Sequence, residues 1–235
     1  MQEAAHNQPG NSNTLYDFAL AAYSLGKISD AAAAMKNALQ AGLPQAQSNQ
    51  AALFLDMISL AVNPEQATAA NARITGILKT NSDYVPALMA LAVINEQKTN
   101  VAAAQQNYEK ILAHYPDFVP AQRGLAILYA TDSSKTGRAY ELATKARTDF
   151  PNDPALTKAL GIILFQQSDY SRAADLLKTI AADRITDAEL FYYLGAAQYH
   201  LKNAVESKAS LQRALTLNLS ADQAADAKQM LLELK

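Results

Sequence analysis

The chain has 235 residues, half of them apolar and 18% charged, with eight glycines, eight prolines and no cysteine. That composition excludes a disordered chain, and the lack of cysteine excludes disulfides and thiolate metal sites while leaving the compartment, periplasm or cytoplasm, open. Twenty Lys and Arg against 22 Asp and Glu leave a net charge of −2, too little to draw the protein to nucleic acid or anionic lipid.

The N-terminal stretch MQEAAHNQPGNSN is polar and aperiodic, without the basic and apolar regions of a signal peptide, so residues 1–12 are expected to be a mobile segment. Beyond it, alanine is abundant, which favours helices. Leu15, Phe18 and Ala19, then Ala31, Met35 and Ala38, predict two helices on either side of Gly26, with Pro44 closing the unit. The next unit is stretched. Ala70, Ile74 and Ile77 suit its second helix, but the register of its first helix, AQSNQAALFLDMISLAV, is not set by spacing.

From residue 83 the chain repeats itself. DYVPALMALAVI, which begins at Asp83, returns as DFVPAQRGLAIL, which begins at Asp117. Leu91-Ala92 recurs as Leu125-Ala126, Leu160-Gly161 and Leu194-Gly195. A second series runs in parallel with the same period: Ala104, Ala139, Ala173 and Ser207, each followed one helical turn later by Tyr108, Ala143, Leu177 and Leu211. Each period divides into two helical stretches. Pro86, Pro120 and Pro154 stand in first turns, where proline costs no hydrogen bond, and Pro116 and Pro151 stop second helices. The longest unbroken apolar run, ALMALAVI, falls far short of the ~18 residues a membrane span requires. At the end, Ser220 and Gln223 form a capping-box pattern, and Ala224, Ala227, Leu231 and Leu234 give a last helix one apolar stripe.

This pattern resembles the tetratricopeptide repeat, a helix–turn–helix of about 34 residues. Its first helix carries a large residue, then Leu-Gly, then Tyr; its second carries Ala, an aromatic and Pro. Phe191, Leu194 and Gly195 match in the last unit, Leu160, Gly161, Ala173 and Leu177 in the fifth, and Leu125, Ala126, Tyr129, Ala139 and Pro151 in the fourth. The resemblance covers residues 13–235. It implies an all-α, right-handed superhelical solenoid of about six helix pairs, over residues 12–44, 45–83, 84–117, 118–152, 153–186 and 187–219, closed by a capping helix over 220–235. One pair cannot bury both of its faces, so the same interface is built again between neighbours.

No catalytic pattern accompanies the repeats, and no cofactor is implied. His6, His114 and His200 lack metal-type spacing, and Ser133-Ser134 has no identifiable base. The family instead lines a concave groove with the inner side of its first helices, where a partner protein or peptide lies. Carried onto this chain, the groove takes Tyr16, Leu20 and Tyr23, then Met89, Val93 and Glu96, then Arg123 and Ile127. Lys158, Ile162 and Phe165 follow, then Tyr192, Ala196 and Tyr199. For the aliphatic positions, burial between adjacent first helices is an equal alternative. Arg123 and Lys158 would meet an acidic partner group or stay solvated. The clamp by which chaperone-binding relatives grip a C-terminal carboxylate needs an Asn one turn after an inward basic residue; here Ile127 and Ile162 stand there. The expected function is a non-catalytic scaffold with an apolar, tyrosine-rich groove. The alternative is a structural spacer, or a self-assembling homo-oligomer, in a bacterial envelope, secretion or polysaccharide-export machine. A repeat that binds RNA is disfavoured by the neutral, apolar inner face.

Overall fold

The computed structural model describes residues 11–62, 66, 69–182 and 186–234; most of the segment expected to be mobile, residues 1–10, lies outside them. Among the described residues there are thirteen α-helices and no strand. The chain divides into two compact units, residues up to Leu125 and residues from Ala126.

The N-terminal unit holds α1 (Ser12–Ser24), α2 (Ile28–Gln40), α3 (Gln45–Val62), α4 (Asn71–Thr80), α5 (Val85–Gln97) and α6 (Val101–His114), and α7 (Val119–Tyr129) begins in it. Helix α3 is the longest described helix, at 18 residues. The Tyr16 hydroxyl donates to Gln50 Oε1 at 3.3 Å, one repeat on, and so supplies the register that spacing left open. Met57 and Leu60 of α3 and Ile74 of α4 bury against Ala87, Ala90 and Ile94 of α5.

In the C-terminal unit a 3-10 turn (Ser133–Lys135) leads into α8 (Thr136–Arg147), followed by α9 (Pro154–Gln166), α10 (Tyr170–Ala181), α11 (Ala188–His200), α12 (Ala204–Leu215) and α13 (Ala221–Glu233). Asp153 begins α9 by accepting from the N–H groups of Ala155 and Leu156, and Pro154 adds its preset φ. Each helix packs on the next. In addition α11 touches both α9 and α13, so these three lie side by side. The small residues sit where helices approach closest. A Cβ on Gly161 would stand 2.6 Å from Leu177 Cγ, and one on Gly195 would stand 2.7 Å from Leu211 Cγ. The same contact is therefore built twice, one repeat apart. In the N-terminal unit Gly124 makes room for the Tyr108 ring in a similar way. No described helix is long and apolar enough to cross a membrane.

Four of the pairs, α1–α2, α5–α6, α9–α10 and α11–α12, share one turn. A left-handed residue stands at Gly26, Thr99, Ser168 and Lys202. The next N–H reaches back to the carbonyl of the last helical turn, as in Asn100 to Asn95 (2.8 Å) and Asp169 to Leu164 (2.9 Å). Only Gly26 is the residue type this conformation favours, and Thr99, branched at Cβ, is the least suited. The left-handed region costs a non-glycine residue about 1–2 kcal/mol, against a chain-entropy cost of about 0.5–1 kcal/mol for glycine. Thr99→Gly is therefore expected to stabilise the protein by about 0.3–1 kcal/mol, a rise in melting temperature of roughly 1–3 °C by calorimetry. A lower melting temperature would show that the turn is relieved in some other way.

Candidate binding surface

The first helices hold the residues expected to line a groove, and the structure separates them by accessibility. In the N-terminal unit, Leu20 is 41% exposed, Tyr16, Met89, Val93 and Arg123 are half-buried, and Tyr23 is only 5% exposed. The Tyr23 ring lies edge-on to Phe54 (centroids 5.1 Å) and Phe118 (5.2 Å), in the interior of the unit and away from open surface. Its buried hydroxyl has no hydrogen-bond partner among the described residues, and burial pushes its pKa well above the ordinary phenol range. The Tyr108 hydroxyl donates to Glu96 at 2.7 Å, so that carboxylate is engaged by its own unit.

In the C-terminal unit the inner residues of α9, α11 and α13 form two rows. In the first, Lys158 Nζ binds Asp187 Oδ1 at 2.9 Å and Glu189 Oε2 at 2.8 Å, and Tyr192 donates to Asp226 Oδ2 at 2.6 Å. In the second, Phe165 belongs to α9, and Tyr199 on α11 donates to Glu233 on α13. Lys158, Tyr192 and Asp226 are one repeat apart, as are Phe165, Tyr199 and Glu233, so equivalent points on successive helices carry each row. Ile127 is half-buried, whereas Ile162 and Tyr192 are buried. Tyr192 and Ala196 share a core with Leu211, Ala214, Ala227 and Met230, which places α13 directly over them. Burial, the alternative for the aliphatic positions, thus describes Ile162, while Tyr192, expected to line the groove, is buried as well. Phe165 and Tyr199 are half-buried at the edge of that core.

Around Phe165 the aromatic rings continue. Tyr170 lies 5.4 Å away, Tyr193 5.3 Å and His200 5.9 Å between centroids, and His200 stacks on Tyr170 at 4.1 Å. Spacing did not single out Tyr170 or Tyr193. For Tyr193 the signal was the density of aromatics in FYYLGAAQYH, which a period alone does not assign to a face; Tyr170, in the turn QQSDYS, carried none. Burial and then the Asp226 carboxylate hold the Tyr192 hydroxyl protonated, and the Tyr199 hydrogen bond holds Glu233 below the usual carboxylate range. Lys158, expected to meet an acidic partner or to stay solvated, is instead 19% exposed and bound by two carboxylates of its own unit.

The remaining histidines and serines take local roles. His114 stands at a helix end beside Asp83, and Ser134 donates to Asp132 within its turn at 2.6 Å. His6 lies outside the described residues. Among the described residues no grouping of His, Asp and Glu is placed to hold a metal ion.

Residues 132–187 and 158–227 match the sequence profile described as tetratricopeptide repeat. These residues carry tetratricopeptide repeats. Among solved structures, PilW, a widely conserved type IV pilus biogenesis factor, is similar over 77% of this chain and 90% of its own, at 17% identity and a TM-score of 0.55. The APC/C hetero-tetramer Cut9-Hcn1 is similar over 99% of this chain, which spans 52% of that one, at 16% identity and a TM-score of 0.50. At such identities the likeness is one of fold. No curated protein sequence matches the chain. Gly161 against Leu177 and Gly195 against Leu211, both inside the matched residues, make the same close contact one repeat apart.

Proposed function

We propose that the protein is a non-catalytic scaffold that holds a partner protein or peptide against the inner side of its first helices. The repeat family supports the class, since tetratricopeptide repeats generally serve to bind proteins. The observation that carries the reading is the pair of half-buried rings at equivalent inner positions, Phe165 and Tyr199, which keep some surface where Ile162 and Tyr192 on the same helices keep almost none. Large rings with polar edges give much contact area at little entropic cost and are enriched where proteins meet. The N-terminal unit, taken by itself, offers Leu20, Met89 and Val93 in the corresponding positions.

The test begins with a partner captured from the source cells, identified by mass spectrometry and purified for titration. Tyr199→Ala and Leu20→Glu are each expected to weaken binding on the order of tenfold or more, the effect of losing ~1.4 kcal/mol of contact. Leu20 is exposed and Tyr199 lies at the edge of its core, so the helical circular dichroism should hold. Affinity unchanged in both variants would end the proposal.

A further inference from the structure

We propose that the C-terminal unit has a second docking site on its outer side: a groove between α8 and α10 that takes a large apolar side chain of a partner peptide together with the carboxylate of an adjacent Asp or Glu. The site is separate from the inner side of the first helices and goes beyond the reading given for that side.

The groove has a volume of about 330 Å³ and is open to solvent on one side. Leu160 and Leu164 form its floor. They are one turn apart on the face of α9 opposite Lys158, Ile162 and Phe165. Leu176 of α10 and Tyr140 of α8 stand on the two walls. Small-molecule sites enclose most of their ligand, whereas an open groove of this size suits a side chain whose backbone stays outside. The repeat itself does not produce the groove. One period on, between α10 and α12, Gln198 stands in place of Leu164 and Ser210 in place of Leu176. These two join, Ser210 Oγ donating to Gln198 Oε1 at 2.8 Å. Arg147 and Arg172 give way to Ala181 and Glu206. The apolar floor and both guanidinium groups therefore belong to this place and not to its counterpart.

Charge selects the occupant. Arg172 lies beside the Tyr140 hydroxyl and joins the two walls at one end, but Asp169 already takes its charge, Nε to Oδ2 at 2.6 Å. Arg147 is two turns beyond Tyr140 along α8, about 10.5 Å away. It lines the groove, is half-buried, and has no hydrogen bond or ion pair among the described residues. Part of its desolvation is thus uncompensated, and an incoming carboxylate finds a two-pronged donor there at little further cost. Asp175, the one carboxylate in the lining, is a single turn from Arg172 and so nearer the joined end, where it repels an acid. An acidic peptide is therefore directed to Arg147, with its apolar side chain over Leu160, Leu164 and Leu176.

Random dodecapeptides displayed on phage are panned on the whole protein in two arms, one of them first depleted on the Arg147→Gln variant. The depleted arm is expected to enrich peptides with a large apolar residue next to Asp or Glu. Their affinity, read by fluorescence polarisation of the synthetic peptides, should fall on the order of tenfold or more in Arg147→Gln, the loss of one charge-assisted contact. A similar fall is expected in the double variant Leu164→Gln, Leu176→Ser, which installs the pair the chain carries at 198 and 210, while Tyr199→Ala leaves binding unchanged. If the double variant melts below the parent, Leu176→Ser alone, at a half-buried position, takes its place. Enriched peptides that lack a carboxylate, or that bind the leucine variants as well as the parent, would overturn the inference, as would a depleted arm without a binder. An undepleted arm that yields only peptides weakened by Tyr199→Ala would overturn it and leave the inner-face reading standing.

Discussion

Removing residues 220–235 is expected to lower the melting temperature by roughly 10 °C or more, or to cause aggregation. Helix α13 buries Ala227 and Met230 and partly buries Leu231 and Leu234 against Tyr192, Leu211 and Ala214. Full burial of a large apolar side chain stabilises by about 1.5–3 kcal/mol, so one buried Met and two half-buried Leu amount to roughly 3–6 kcal/mol. That is a large part of the ~5–15 kcal/mol by which a domain is stable. The truncation also strips Tyr192 and Tyr199 of their acceptors and bares a contiguous apolar face. Differential scanning calorimetry and light scattering on parent and truncated chains measure both effects. A truncated protein that melts and migrates like the parent would show that α13 does not close the stack.

Gly195→Val should be nearly as damaging, and Gly76→Ala should act in the opposite direction. A Cβ at position 195 would come within 2.7 Å of Leu211 Cγ and 2.9 Å of the Leu211 backbone nitrogen. A side chain end can swing aside, but a backbone nitrogen moves only if the whole of α12 moves. Leu211 has no room, because it is fully buried. Overpacking of this kind costs about 3 kcal/mol, and a branched residue adds further methyls to the same gap. The expected fall in melting temperature is roughly 6–12 °C. Gly76 lies inside α4 with nothing within 4 Å of the position a Cβ would take. Alanine there gains about 0.5–1 kcal/mol from helix propensity alone. If both glycine variants shift the melting temperature in the same direction, close approach is not the reason glycine occupies position 195.

The inner surface was legible as a register and not as an environment. The repeat resemblance placed Tyr192 and Tyr199 in one first helix with Lys158 and Phe165 at equivalent points a period earlier, and in the structure Tyr192 and Tyr199 donate to residues one period further on. It did not reveal that Tyr192 is covered by Met230 and Ala227, or that Tyr23 is enclosed by Phe54 and Phe118. Those neighbours are far off in the chain, and no local period encodes them. Lys158 is the sharpest case. It was expected to meet an acidic partner group or to stay solvated, yet it binds Asp187 at the N-cap of α11 and Glu189 in that helix's first turn. Tyr192 belongs to the core and Tyr199 to its edge, so Tyr199 is the better probe of binding.

What the sequence determined by itself was the unit and its repetition. Apolar residues three and four apart choose a helix face, small residues mark where helices must touch, and prolines and caps mark where they begin and end; all of these are local and survive a change of neighbour. So Leu194-Gly195 and Leu211 were each legible as members of a repeating series, and their contact came from the structure. Only the tertiary structure decided which inner side chains keep some surface and which are closed by the next helix. Exposure and electrostatic field are sums over neighbours from separate helices, and Asp226, Glu233 and Asp187 reach Tyr192, Tyr199 and Lys158 only when α9, α11 and α13 lie side by side.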